Sequence, residues 1–258
     1  MWNNHHALNL LSRLLITSVV IATLYVISIR LTKPPFFPLQ RINIHAAKDT
    51  KAGHDELLNV TREQIANITQ SEIKGNFLSV NLTEVREAFV KLPWVREARV
   101  TRQWPDGLDV VLEEHRAMAY WGSHALVNTY GEVFRVTVNR ELPVFTGPTE
   151  ASAKEVTRNF RRFNQILLPL RQTITDITLT PRYAWRIRLN TGTLLELGRD
   201  EIEDRLARYV TVYNHSIARF NQEGPLAYVD LRHPNGFAIR TPEMLQHAPR
   251  KAGSKRET

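Results

Sequence analysis

The longest uninterrupted apolar stretch of the chain lies close to its N-terminus. Residues 14–29 read LLITSVVIATLYVISI, carry no charge and are bracketed by Arg13 and Arg30. A helix of about 20 apolar residues crosses a bilayer core, and the leucines before Arg13 extend this run toward that length. No small-x-small cleavage site follows it, and no polar stripe marks it as a buried core helix. We therefore predict a tail over residues 1–13 and an uncleaved membrane anchor over 14–31.

Patterns typical of strands and helices follow the anchor. Apolar residues alternate over Gln40–His45, which predicts a short strand. Two segments, Thr61-x-x-Gln64 and Asn81-x-x-Glu84, have the residue types of a capping box, and each precedes apolar residues at helical spacing. The sequence therefore predicts a strand and then two helices.

A β-hairpin is predicted after the second helix. Trp94 and Trp104 lie on the same alternating apolar face of its first arm, and we expect both to be buried. A Pro-Asp-Gly turn over 105–107 leads into a second alternating arm over 108–112. The resulting order, β-α-α-β-β, is long enough to enclose one small core.

The second half of the chain is richer in strand patterns. They occur at 126–127, 133–134, 174–179, 185–190, 194–197, 227–231 and 237–239. Residues 126–127 are expected to pair with 133–134. Two longer helices are predicted, one starting at a Ser152-x-x-Glu155 capping box and one over 200–221. The whole chain is therefore expected to be an α+β protein, with a mainly antiparallel sheet in this half.

Composition narrows the possible functions. The chain has 258 residues, a net charge of +8 and no cysteine, so disulfides and thiolate chemistry are excluded. Its basic residues are mostly spread out and no recognition motif accompanies them, which argues against nucleic acid as a partner. No hydrolase, zinc-protease or nucleotide-binding motif occurs, and the neighbouring carboxylates of Glu113 and Glu114 would point to opposite faces of a strand. We expect no catalytic residue, no metal, no cofactor and no small-molecule substrate.

The last predicted strand has the character of a sheet edge. It follows Gly236 and ends before Pro242, with little chain after it. An edge strand has unpaired backbone groups and can accept a strand from a partner. Asp230 stands alone among apolar residues just before this strand, which favours a hydrogen-bonding role over a catalytic one.

Short motifs along the chain occur in an order that is typical of one bacterial family. In the first part they are LPWV at 92–95, RQWPD at 102–106, EEHR at 113–116, WG at 121–122 and NTYGEVF at 128–134. In the second part they are LGR at 197–199, RLARY at 205–209 and YVDLR at 228–232. Each motif alone is a weak signal, but their order and spacing together are specific. From the anchor to about Pro242 the chain resembles the FtsQ/DivIB family of cell-division proteins.

This resemblance implies a domain organisation and a location. A POTRA domain, whose fold is β-α-α-β-β, is expected over 38–116, a β domain over 117–242 and a disordered tail over 243–258. The family implies one span of the inner membrane at the division septum, with a cytoplasmic N-terminus and the bulk in the periplasm. The basic residues around the anchor do not by themselves favour this orientation, but long C-terminal domains translocate largely regardless of such charges.

The resemblance also implies partners. Members of the family recruit FtsB, with FtsL, by strand addition at the C-terminal strand, alongside other divisome membrane proteins. The positions that carry over are Arg182, Arg232, His233, Asn235, Gly236, Phe237, Ala238 and Ile239. The two arginines are implied to meet acidic residues of the partner. The chain departs from the family at Thr241, where some members have an aromatic residue.

The sequence leaves three classes of function open. A non-enzymatic scaffold that links early and late division proteins is the first. A POTRA-containing component of an envelope secretion or assembly system is the alternative, and it would need a barrel or further POTRA repeats, which we do not find in the sequence. A membrane-bound hydrolase is the third, and it would be recognised by activity-based labelling.

Overall fold

The computed structural model describes five ranges of the chain: 5–31, 37–47, 56–213, 227–233 and 236–240. The chain divides into two compact units, Met1–His115 and Arg116–Thr258. The predicted limits of the two domains and of the tail stay a prediction. The second half of the helix predicted over 200–221 lies outside the described residues, as do Asn235 and Thr241.

The N-terminal apolar run forms one long helix, α1 (His5–Leu31). Its segment Leu8–Arg30 is long and apolar enough to cross a membrane, and none of that segment is buried within the protein. Its 23 residues rise by about 34 Å, close to the ~30 Å of a hydrocarbon core. The predicted helix is therefore present as a candidate membrane span, and it begins earlier than the uncharged run.

The rest of the first unit is built around a three-stranded sheet. Its elements are β1 (Arg41–Ala46), α2 (Arg62–Glu72), α3 (Leu82–Val90), β2 (Val95–Gln103) and β3 (Gly107–Glu114). The last strand, β3, lies in the middle, parallel to β1 and antiparallel to β2. Its alternate residues Leu108, Val110 and Leu112 are fully buried in the core of this unit. The predicted order β-α-α-β-β is confirmed.

The two helices of this unit start differently. At α2 the predicted capping box is present, because Thr61 Oγ1 accepts from Gln64 N (3.2 Å) and Gln64 Oε1 accepts from Thr61 N (3.0 Å). At α3 the Asn81 side chain accepts from Thr83 N (3.1 Å) and donates its amide to Glu84 (2.9 Å). The reciprocal box predicted there is therefore wrong, because Glu84 accepts from the side-chain amide of Asn81.

The prediction that both hairpin tryptophans are buried is wrong for Trp104. Trp94 is half-buried against the core, whereas Trp104 is 70% exposed. Along the same face of β2, Ala98 is buried and Val100 is only half-buried. The other residues of the unit therefore cover this face less and less toward the hairpin tip. Trp104 meets Phe77 edge-on, with ring centroids 4.9 Å apart. The alternation predicted the correct side of the sheet, but the tip extends past the layer that covers that side.

The described residues of the second unit form one nine-stranded sheet. Its strands are β4 (Ala117–Trp121), β5 (Ala125–Asn128), β6 (Val133–Phe134), β7 (Val144–Thr146), β8 (Ile174–Leu179), β9 (Trp185–Leu189), β10 (Leu194–Gly198), β11 (Tyr228–Asp230) and β12 (Ala238–Arg240). They lie in the order β12-β11-β10-β9-β8-β7-β4-β5-β6. Three neighbouring pairs are parallel, namely β4 with β7, β7 with β8, and β10 with β11, and the other five are antiparallel. The expected mainly antiparallel sheet is confirmed, including the predicted pairing of 126–127 with 133–134.

Two helices, α4 (Ala153–Leu167) and α5 (Ile202–Val212), bury their apolar sides in the core of this unit. The start of α4 differs from the prediction. A short 3-10 turn over Glu150–Ser152 leads into it, and the Ser152 hydroxyl donates to Thr149 O (2.5 Å). Ser152 itself has helical backbone angles (φ −74°, ψ −8°), so its side chain does not cap the helix.

Candidate partner-binding edge

The strand β12 ends the order of the nine-stranded sheet. Ala238, Ile239 and Arg240 lie opposite residues 230, 229 and 228 of β11 in antiparallel register. Within the described ranges no strand pairs with the other side of β12. The strand predicted over 237–239 is therefore present, shifted by one residue, and it lies at an edge.

Hydrogen bonds of the preceding strand show which way its backbone groups point. Ala227 O accepts from Leu194 N of β10 (3.1 Å), and Leu231 N donates to Glu196 O of β10 (2.9 Å). Successive residues of a strand direct their backbone groups to opposite sides. The intervening residues 228 and 230 therefore direct theirs toward β12.

It follows which residues of β12 face outward. Ala238 and Arg240 lie opposite residues 230 and 228, so their N–H and C=O groups point toward β11. Arg240 O also accepts from Ala227 N (3.2 Å), which agrees with this direction. Ile239 lies between them and directs its backbone N–H and C=O to the outer side of the sheet. The outer edge thus offers one donor and one acceptor at the centre of a three-residue strand.

Side chains of this strand alternate between two environments. Phe237, just before β12, and Ile239 are half-buried against the core on the helix side of the sheet. Ala238 and Arg240 are exposed on the opposite face, where the Arg240 guanidinium lies 5.5 Å from the centre of the Tyr228 ring. An added strand would therefore have an apolar side and a polar side to match.

Strand register brings the predicted basic positions to one end of the sheet. Trp185, at the start of β9, pairs with Gly198 at the end of β10. A Cβ on Gly198 would lie 3.1 Å from Arg232 Cγ, so Arg232 lies beside that pair. Arg182 belongs to the tight turn just before β9, in which Tyr183 N donates to Thr180 O (2.8 Å). Arg182, Arg232 and His233 are all exposed at this end.

Arg232 is held by a neighbouring carboxylate. Its Nε donates to Asp230 Oδ1 (2.9 Å) and its Nη2 to Asp230 Oδ2 (2.6 Å), and its backbone N–H also reaches Asp230 Oδ1 (3.0 Å). The side chain of Asp230 is 9% exposed and that of Arg232 is 56% exposed. These hydrogen bonds from Arg232 hold the pKa of Asp230 at about 2, below its ordinary value. The predicted hydrogen-bonding role of Asp230 is confirmed.

A second carboxylate lies beside Asp230 on the neighbouring strand. Glu196 pairs with Asp230 in the parallel register of β10 and β11. The guanidinium of Arg186, on β9, lies 2.6 Å from Glu196 Oε1. Two acidic side chains therefore lie next to each other on the face opposite the helices, each bound by its own arginine. Sequence reasoning recognised Asp230 but missed this row, because α5 separates Glu196 from Asp230 in the chain and only the pairing of β10 with β11 brings the two together.

The described members of the predicted set thus lie together. Arg182, Arg232 and His233 are at one end of the sheet, and Gly236 and residues 237–239 lead from that end into the edge strand. No group of three or more histidine, aspartate or glutamate residues suited to a metal ion occurs among the described residues.

An apolar N-terminal helix long enough to span a membrane, a βααββ unit and a large sheet whose last strand is unpaired on its outer side within the described residues define a class of POTRA proteins. Comparison with known proteins identifies the family. Residues 56–115 match the family model "POTRA domain, FtsQ-type", and residues 119–232 match "Cell division protein FtsQ/DivIB, C-terminal".

Similarity to individual proteins extends over nearly the whole chain. This chain is 45% identical over 240 residues to Cell division protein FtsQ of Nitrosospira multiformis, and the match covers 93% of this chain and 99% of that protein. Identity to Cell division protein FtsQ of Burkholderia pseudomallei is 38% over 251 residues, with 95% and 96% of the two chains covered. Identity to Cell division protein FtsQ of Bordetella pertussis is 32% over 280 residues, and the match covers 99% of this chain and 100% of that protein. The chain belongs to the FtsQ/DivIB family of cell division proteins.

Proposed function

We propose that this chain is a non-enzymatic scaffold of the divisome that binds FtsB, with FtsL, by adding a partner strand to β12. Membership in a family of cell division proteins supports the role in division. The observation that carries the binding mode is the outward N–H and C=O of Ile239 on the terminal strand of the sheet. Family similarity over nearly the whole chain favours this function over a component of an envelope secretion or assembly system.

The proposed topology places α1 in the inner membrane at the septum, residues 1–13 in the cytoplasm and the rest in the periplasm. Alkaline phosphatase, which is active only in the periplasm, should be active when fused after Pro242. A cytoplasmic reporter fused at the same site should be inactive. The reverse pattern would overturn this orientation.

Charge at the end of the sheet is expected to select the partner. Asp230 takes two of the five N–H donors of the Arg232 guanidinium, so three remain for an acidic residue of the partner. Arg182 has an exposed side chain at the same end. Because exposed ion pairs are screened by salt, Arg182→Glu should weaken binding most at low ionic strength.

The decisive experiment replaces the outward N–H. Ile239→Pro removes the donor that faces the added strand, whereas Ile239→Val keeps it and changes the side chain by one methyl group. Binding of purified FtsB–FtsL complex by the full chain in detergent should be lost in the first variant and kept in the second. Phe237→Pro is expected to weaken binding as well, at the start of the same edge.

A separate variant tests the inner side of β12. Ala238→Pro removes a donor that points toward β11, so it should loosen β12 from the sheet as well as reduce binding. Circular dichroism of each variant separates lost binding from lost structure. If folded Ile239→Pro and Phe237→Pro variants bind like the unchanged chain, strand addition at this edge is wrong.

A further inference from the structure

The tip of the β2–β3 hairpin belongs to an exposed apolar patch. Trp104 is 70% exposed, Phe37 43% and Leu78 39%. Three separate segments meet here, because Trp104 contacts the ring of Phe77 at 4.9 Å and Phe77 N donates to Phe37 O (2.9 Å). We name the three exposed residues, Phe37, Leu78 and Trp104, the aromatic tip.

Hydrogen bonds hold the aromatic tip on a fixed frame. The Arg102 guanidinium donates to Phe77 O (2.9 Å) and Val80 O (2.8 Å), which ties the hairpin to the segment carrying Leu78. Arg41, at the start of β1, binds Asp106 in the hairpin turn at 2.7 Å. The apolar side chains are therefore presented by hydrogen-bonded backbone, and both neighbouring arginines already have partners.

Covalent connection limits what can reach this patch. The helix α1 ends at Leu31, and Phe37 follows six residues later. Six residues span at most about 20 Å even when fully extended. Whatever direction the connecting segment takes, Phe37 stays within that distance of the end of the membrane-crossing helix.

The chemistry of the patch fits a lipid surface. Tryptophan combines a large apolar ring with a polar N–H and is enriched where a membrane meets water. The opposite end of the same sheet carries Glu97, Glu113 and Glu114, because β2 begins where β3 ends, and Arg96 pairs with the first two of these carboxylates. The hairpin tip thus exposes apolar side chains, whereas the opposite end exposes paired charges.

We propose that the aromatic tip lies in the headgroup region of the membrane that α1 crosses. This contact holds the POTRA-type unit in one orientation on the membrane instead of leaving it free on its tether. The proposal rests on the proposed topology, in which α1 is a membrane span. It does not depend on partner binding at β12.

The absence of cysteine from the chain permits a direct test. A single Gln103→Cys next to the tip is labelled with the polarity-sensitive fluorophore NBD, and the full chain is placed in nanodiscs of phosphatidylethanolamine and phosphatidylglycerol. Glu97→Cys is the matched control, since it lies on the same strand and the same face, about 20 Å away. Emission at 103 should be blue-shifted and strongly quenched by lipids that carry a nitroxide near the headgroup, and emission at 97 should not.

A second substitution distinguishes contact of the aromatic tip with lipid from proximity that results only from the short connection to α1. Trp104→Ser in the Gln103→Cys background should remove most of the quenching while circular dichroism stays unchanged. Inserting ten Gly/Ser residues between Pro35 and Phe36 should preserve quenching when Trp104 is present, because the contact comes from the tip.

Four results would overturn the proposal. They are an unquenched label at 103, equal quenching at 97 and 103, quenching that Trp104→Ser leaves intact, or quenching lost with the longer tether. Nanodiscs contain no FtsB or FtsL, so these results are independent of the Ile239→Pro experiment. Failure of the chain to insert into nanodiscs would overturn the topology and this proposal together, and would leave strand addition at β12 standing.

Discussion

Two tryptophans in equivalent local settings have opposite environments. Trp104 and Trp185 each lie next to a tight turn at the end of a strand, and each meets a phenylalanine edge-on, at 4.9 Å for Phe77 and 5.7 Å for Phe163. Trp185 is 3% exposed, whereas Trp104 is 70% exposed. Their neighbours along the chain do not explain this difference, because both follow the alternation of their strands.

The difference lies in what covers each strand end. Phe163, which meets Trp185, comes from the middle of α4, so a helix covers that end of the sheet. Phe77, which meets Trp104, lies in a loop between two helices, and no helix covers the hairpin tip within the described residues. A ring that packs on one side only keeps its other face in solvent. Exposure of a strand-end aromatic is thus decided by the length of the covering layer.

The largest expected effect is that of Trp185→Ala. Truncating a fully buried aromatic residue typically costs about 3–5 kcal/mol. Chemical unfolding of the full chain in detergent, followed by circular dichroism, should show a loss of this size in the transition of the second unit. A decrease in the free energy of unfolding below about 1 kcal/mol would show that the packing of α4 on Trp185 does not stabilise this end of the sheet.

Gly198→Ala tests the backbone that pairs with Trp185. Gly198 has φ +78°, and an added Cβ would lie 2.7 Å from the Arg205 Nη1 that donates to Leu197 O. Backbone strain of this kind costs on the order of 1–3 kcal/mol. The same unfolding measurement should show that loss, and Gly192→Ala is a useful comparison because its φ of +84° has open space around it. Equal losses in the two variants would indicate that backbone strain alone, without the Arg205 contact, sets the cost.

Asp230→Asn tests the charged pair beside that end of the sheet. The folded-state pKa of Asp230 is about 2, below the ordinary 3.8, so the pair stabilises the fold above about pH 4 and stops doing so as pH falls toward 2. A charge-assisted hydrogen bond that is partly exposed contributes about 1–2 kcal/mol. The free energy of unfolding of the variant should therefore be lower than that of the unchanged chain at pH 7, and the gap should narrow near pH 2. A gap that does not change with pH would refute the role of this carboxylate.

The smallest expected effect on stability is that of Trp104→Ala. Since most of its ring is exposed, only the edge-on contact with Phe77 is lost, at about 1 kcal/mol. Phe77→Ala, at a fully buried residue of the same pair, should cost about 3–5 kcal/mol. A Trp104→Ala variant that unfolds the first unit would mean that the hairpin tip is covered in solution.

Much of this fold follows from local patterns. Alternation of apolar residues predicted most of the strands, β1 and β9 among them, and the capping residues at Thr61 marked the start of α2. The order of short motifs along the chain indicated the family. The strand and capping patterns depend on residues a few positions apart, and the motif order is read directly along the chain. Neither requires knowledge of the tertiary structure.

Only the tertiary structure decided how those elements cover and pair with one another. It exposed Trp104, directed the backbone of Ile239 outward and that of Ala238 inward, and placed Glu196 beside Asp230. Each of these outcomes depends on segments that are far apart in sequence and meet only in the folded sheet. Alternation determines the side of a strand on which a residue lies, whereas the neighbouring layer and the register of the next strand determine whether that side meets protein, solvent or a partner.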